Sequence, residues 1–215
     1  MGCWRHSITK CRGLVPRRSQ RGNGVKIIAV VGSGSGCGKT TVACRILRAI
    51  PGLGAVKISP RGGPGRVEWG RGGPGKDTDL YADSGAACVA RIVGPRDEVV
   101  ETWNRIKNAF QSCPGVVVEG SRSVDLPGER FVIFVAGSES GTVRTDREMA
   151  YSAISDVIID GSPHGKDKIR TMNKSSSHTS KSMINQEIFR GDRIAESENQ
   201  LIDKINRFLH LPCDG

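Results

Sequence analysis

Aromatic side chains are scarce here: three Trp, two Tyr and five Phe make up 5% of 215 residues. A core therefore has to be built from Val, Ile, Leu and Ala, which favours a layered α/β fold over an aromatic-rich β-sandwich. No apolar run approaches the length of about eighteen residues that a membrane span needs, so none is expected. The seven cysteines (Cys3, Cys11, Cys37, Cys44, Cys88, Cys113 and Cys213) form no CxxC pair. Their odd number and scattered spacing argue against a disulfide framework or a closed zinc site, and they read as reduced thiols. Residues 1–24 contain no acid and no apolar stretch of the secretory type. With Arg5, Lys10, Arg12, Arg17, Arg18 and Arg21, they read as a basic disordered tail, and the chain as cytoplasmic.

Positive charge and glycine are abundant. The formal charge is +10, which predicts attraction to polyanions such as nucleotides. The 28 glycines imply many sharp turns. Residues 26–31 (KIIAVV) form a near-continuous aliphatic run, as expected of a parallel strand buried on both faces. Residues 39–50 follow with helical spacing. Further strands are expected at 54–59, 88–93, 116–118, 131–136 and 157–160, with helices at 78–85, from Pro95 to Phe110, and at 194–211. This alternation predicts a mostly parallel, doubly wound α/β sheet of P-loop NTPase type, with helices on both faces, over 25–160. Residues 60–76 carry RGGPG twice and read as a long mobile loop suited to be a lid. Residues 161–192 read as a polar flexible insert, and 193–215 as a C-terminal helix packing on the domain.

The stretch with the most chemistry joins the first strand to the first helix. In Ser33-Gly34-Ser35-Gly36-Cys37-Gly38-Lys39-Thr40-Thr41, glycines let the backbone curl so that amides and the helix N-terminus face a phosphate. Lys39 is placed to neutralise β- and γ-phosphate charge, and the Thr40 hydroxyl to ligate Mg²⁺. Ser33 stands where the strict pattern has Gly. Cys37 is an inert small residue or a redox-sensitive one. A second Mg²⁺ ligand is expected at the end of a neighbouring strand, where Glu119 follows VVV. Asp77 and Asp79 are further carboxylate candidates, and Arg144, Arg147 and Glu148 are candidates for γ-phosphate or substrate contact. Asn173-Lys174 has Ser176 where a guanine-reading motif needs Asp, so it is not evidence for guanine.

Three segments together resemble the MobB family, small P-loop proteins linked to molybdopterin guanine dinucleotide formation. They are IIAVVGSGSGCGKTT, then Gly75-Lys76-Asp77-Thr78 with Ser84-Gly85-Ala86, and Glu119-Gly120 after the valine run. The RGGPG repeats stand where that family has a His/Asp-rich stretch. The resemblance implies GTP binding, slow hydrolysis and service to a cofactor-maturation partner protein. The residues themselves imply nucleoside triphosphate, GTP or ATP, with Mg²⁺.

Two other readings stay open. One is a small-molecule kinase, with residues 60–76 as lid and Asp77 or Asp79 as base. The other, ranked last, is a nucleic-acid-associated protein using the basic tail and the RGG loop. The base, the second substrate and the oligomeric state, a homodimer included, do not follow from the sequence.

Overall fold

The computed structural model describes residues 24–137, 146–161, 168–171 and 194–211. The chain runs β1 (Ile27–Gly32), α1 (Lys39–Ala49), β2 (Gly54–Pro60), β3 (Arg66–Trp69), α2 (Asp77–Asp83), β4 (Cys88–Gly94) and α3 (Val99–Ile106). It continues through β5 (Val116–Glu119), β6 (Arg130–Gly137), α4 (Asp146–Ile154), β7 (Val157–Gly161), β8 (Lys168–Thr171) and α5 (Ile194–Leu209). The strands form one sheet in the order β3-β4-β2-β5-β1-β6-β7-β8. Pairing is parallel from β4 to β7, and the two outer strands are antiparallel.

Helices cover both faces because the central strands are apolar on both. Ile28 and Val30 of β1 pack with Val42, Ala43, Ile46 and Leu47 of α1, and with Leu201, Ile205 and Leu209 of α5. Ile27, Ala29 and Val31 face the other way, onto Val99, Trp103, Ile106 and Phe110 of α3 and the 3-10 turn after it. Trp103, Phe110 and Phe134 are buried in this layer, while Tyr81 and Phe131 pack into the other, so the few aromatics fill both. Among the described residues no helix is long and apolar enough to cross a membrane.

Four expectations need correction. Residues 60–76 are not simply a mobile loop, because Arg66–Trp69 form the edge strand β3. Cross-strand pairing holds it: Glu68 lies opposite Arg91, and Trp69 stacks on Phe110 with ring centroids 5.9 Å apart. Glu98 Oε2 also accepts the Gly65 N–H at 2.6 Å. The polar insert likewise contributes β8, which closes the other edge against β7, although most of it lies outside the described residues. Finally, α4 follows β6 where no helix was expected, and the helix expected from Pro95 begins only at Val99 and tightens into a 3-10 turn at Lys107–Phe110.

The topology offers a place for a ligand. From β1 the chain crosses to β2 on one side, whereas from adjacent β5 it crosses to β6 on the other. In open α/β sheets such a switch point leaves a crevice at the carboxyl ends of the two strands. Gly32 and Glu119 end those strands.

Candidate phosphate and metal site

The loop after β1 is curled. Gly36 and Gly38 have φ of 76° and 96°, and Gly38 caps α1 in the left-handed region that a side chain would strain. Apart from a tight turn at Ser35-Gly36, the main-chain N–H groups from Gly34 to Thr41 make no main-chain hydrogen bond among the described residues. The last part of that set, Lys39 to Thr41, is the usual consequence of a helix start, and it leaves donors for an anion.

The displaced glycine of the motif has a structural cause. A Cβ on Gly32 would collide with Cys37 Sγ and lie 2.9 Å from the Val135 carbonyl oxygen. The close approach that demands glycine is therefore met at Gly32, one position earlier than the strict pattern. Ser33 is then free to carry a side chain: its N–H donates to Val135 O at 3.1 Å, and its Oγ accepts the Gly137 N–H at 2.7 Å. Ser33 thus ties the loop to β6. Gly34, Ser35, Gly36 and Thr41 are exposed. Lys39 folds back over the loop, donating to the Gly34 carbonyl and lying 3.3 Å from Cys37 Sγ. Cys37 is buried, with its thiol donating to Gly34 O at 3.3 Å.

Around Thr40, the first turn of α1 meets the ends of β2 and β5 and the start of α2. The Thr40 hydroxyl donates to Glu119 Oε2 at 3.0 Å and lies 3.2 Å from Asp77 Oδ1. Glu119 is 1% exposed and also accepts from Tyr81 OH and Lys57 Nζ. Lys57 Nζ lies 2.6 Å from Asp77 Oδ2, so one ammonium bridges both carboxylates. Sheet register puts it there: Lys57 of β2 and Val30 of β1 both sit opposite Glu119. Burial opposes the charge on Lys57, but Glu119 and then Asp77 outweigh it and raise its pKa. Burial first, and then the negative Glu119, push the Tyr81 phenol far up, which keeps it a hydrogen-bond donor.

No protein-family model matches this chain, and no curated protein does.

Mg²⁺ fits this donor set. Thr40, Asp77 and Glu119 offer hard oxygens, at most two carboxylates are needed, and the lodged ammonium shows that the pocket between them accommodates a cation. Other candidates are less central. Asp79 is engaged by Arg71 at 2.8 Å, and Arg71 also pairs with Asp83 at 2.7 Å, so this arginine of the second RGGPG repeat is spent on α2. Arg147 is exposed on α4, and Glu148 of the same helix has an interaction of its own. Arg144, Asn173, Lys174, Ser176 and residues 1–23 lie outside the described residues.

Sequence reasoning missed Lys57 and Tyr81. For Lys57 a signal was present: a lone charge inside the aliphatic strand GAVKIS has to find a partner once the strand is buried. Tyr81 carried no such signal, since a tyrosine on an amphipathic helix is ordinarily core.

Proposed function

We propose that this protein binds a nucleoside triphosphate together with Mg²⁺, with phosphates in the loop of residues 33–41 and the metal on Thr40, Glu119 and Asp77. One observation carries the reading: the hydroxyl opening the helix after a glycine loop lies within 3.2 Å of two carboxylates from other elements. Bound Mg²⁺ would neutralise β- and γ-phosphate charge and polarise the γ-phosphoryl group. Lys39 then turns from Gly34 O to phosphate oxygens, while the loop amides and the start of α1 hold the anion. Tyr81 holds the Glu119 carboxylate in place from within the core.

GTP is the favoured nucleotide and slow hydrolysis the favoured activity, in an accessory role to molybdopterin guanine dinucleotide formation. That finer reading rests on the GKDT, SGA and EG motifs. A kinase is the second reading, favoured by a polar cleft of about 60 Å³ beside Asp77. Asp77 is already engaged by Lys57 and by Thr40, which weighs against its acting as a base in this state. Turnover separates the readings. The adaptor hydrolyses GTP slowly and accelerates with a partner protein, whereas a kinase transfers the γ-phosphate to a metabolite far faster than to water. Rapid transfer to a metabolite would overturn the accessory assignment.

A further inference from the structure

The cleft beside Asp77 is lined by Lys57, Ser59, Lys76, Asp77, Thr78 and Arg91, and it is contiguous with the Thr40 cluster through Lys57 and Asp77. Its volume, about 60 Å³, is enough for several water molecules or one small polyatomic group. Arg91 is aimed along it from β4: Nε donates to Ser59 Oγ at 3.2 Å and Nη1 lies 3.3 Å from Glu68 Oε2. The other guanidinium donors remain for a ligand. Lys76 is exposed at the start of α2, and Thr78 adds a buried hydroxyl.

The charge balance of this neighbourhood depends on the metal. Lys57, Lys76 and Arg91 are positive, and Asp77, Glu119 and Glu68 are negative, so cleft and cluster together are neutral as they stand. The Lys57 charge in particular is consumed by the two carboxylates. A divalent cation on Thr40, Asp77 and Glu119 satisfies those carboxylates without Lys57. The same side chain, already part of the cleft wall, is then released to face it; the triphosphate more than offsets the charge of the metal, so the freed ammonium is the positive charge that the cleft itself gains.

We propose that this cleft is a metal-gated subsite for a phosphate-bearing second substrate, formed by Lys57, Arg91, Lys76, Ser59 and Thr78. The inference rests on the Mg²⁺-nucleotide reading and deepens it in its kinase form rather than its accessory one. It implies ordered binding: the nucleotide with its metal enters first, and the acceptor's phosphate second. Because coupling is reciprocal, the acceptor's phosphate tightens Mg²⁺-nucleotide binding by the same factor.

The probes are inorganic phosphate and methyl phosphate, titrated calorimetrically into the whole protein. The protein is first loaded with Mg²⁺ and a GTP or ATP analogue whose β–γ bridge resists hydrolysis, so the γ-position is already filled. Both probes should bind about tenfold more tightly to the loaded protein than to the protein alone, the scale of one charge-assisted hydrogen bond. Arg91→Gln and Lys76→Gln should each weaken that binding several-fold. Lys76 is on the surface, so its variant stays informative even where Arg91→Gln loosens the β3 edge. Equal affinity with and without loading, or both variants binding like the parent, overturns the proposal. Binding of inorganic phosphate with rejection of methyl phosphate would make the cleft a holding place for released phosphate and overturn the acceptor assignment. Failure of both analogues to bind the parent protein sinks the nucleotide reading itself, whereas a bound analogue with no phosphate binding sinks only this one.

Discussion

Replacing Lys57 with methionine isolates the electrostatics of the site. The substitution keeps the length and apolar stem of the side chain and removes only the ammonium between Asp77 and Glu119. Glu119 is 1% exposed and would keep only hydroxyl donors, Tyr81 and Thr40, to stabilise its charge. Asp77 is 37% exposed and recovers much of its solvation from water. Stripping one partner from a buried ion pair costs about 3–5 kcal/mol. The surviving donors and the exposure of Asp77 put this case near the lower end, about 3 kcal/mol. In a chain of this size each kcal/mol moves Tm by about 2–4 °C, so Lys57→Met should melt roughly 6–12 °C below the parent. Millimolar Mg²⁺ restores a cation to the same oxygens, and should therefore raise the Tm of the variant more than that of the parent. Thermal melts followed by circular dichroism at neutral pH, with and without Mg²⁺, read both effects. A variant melting within about 2 °C of the parent, or an equal response of both proteins to Mg²⁺, would refute the account of Lys57 as an internal counter-ion.

Two further outcomes follow from the same geometry. Gly32→Ala should cost about 1–3 kcal/mol in denaturant unfolding and weaken nucleotide binding, because its Cβ meets the Val135 main chain, which cannot swing aside. Gly34→Ala, with nothing within 4 Å of the added carbon, should leave unfolding nearly unchanged, and a cost equal to that at Gly32 would contradict the loop geometry. Alkaline titration should also report the cluster. Lys57 and Tyr81 both have folded pKa values raised above their unfolded ones, so the stability they contribute is complete below about pH 10 and is lost as pH rises through the folded values. The parent should lose stability above about pH 10 more steeply than a Lys57→Met, Tyr81→Phe double variant, and parallel curves would argue against it.

Most of the sheet was legible because buried parallel strands are written as aliphatic runs: KIIAVV, GAVKIS and the valine run before Glu119 all carry that mark. The edges were not. β3 is only four residues, mostly exposed, and lies between two glycine-rich repeats, so its pairing with β4 comes from Glu68, Arg91 and Trp69 meeting across the sheet. Such contacts are set by tertiary structure and leave no periodic trace. The α4 segment has no buried residue, which explains the absence of an apolar stripe announcing it. At the site, the loop and Thr40 were readable from spacing, and Glu119 from its place at a strand end. The convergence of Asp77, Lys57 and Tyr81 on Glu119 depends on register between β1, β5 and β2, which a linear motif does not encode.

Calorimetric titration of the parent protein and of Lys39→Ala with GTP and, separately, ATP, each with and without Mg²⁺, decides whether the loop of residues 33–41 holds a nucleotide. The account predicts a single site that binds the triphosphate only weakly without Mg²⁺, prefers GTP, and loses at least about tenfold in affinity with Lys39→Ala. No saturable binding of either nucleotide by the folded parent, or binding indifferent to both Mg²⁺ and Lys39, would contradict it.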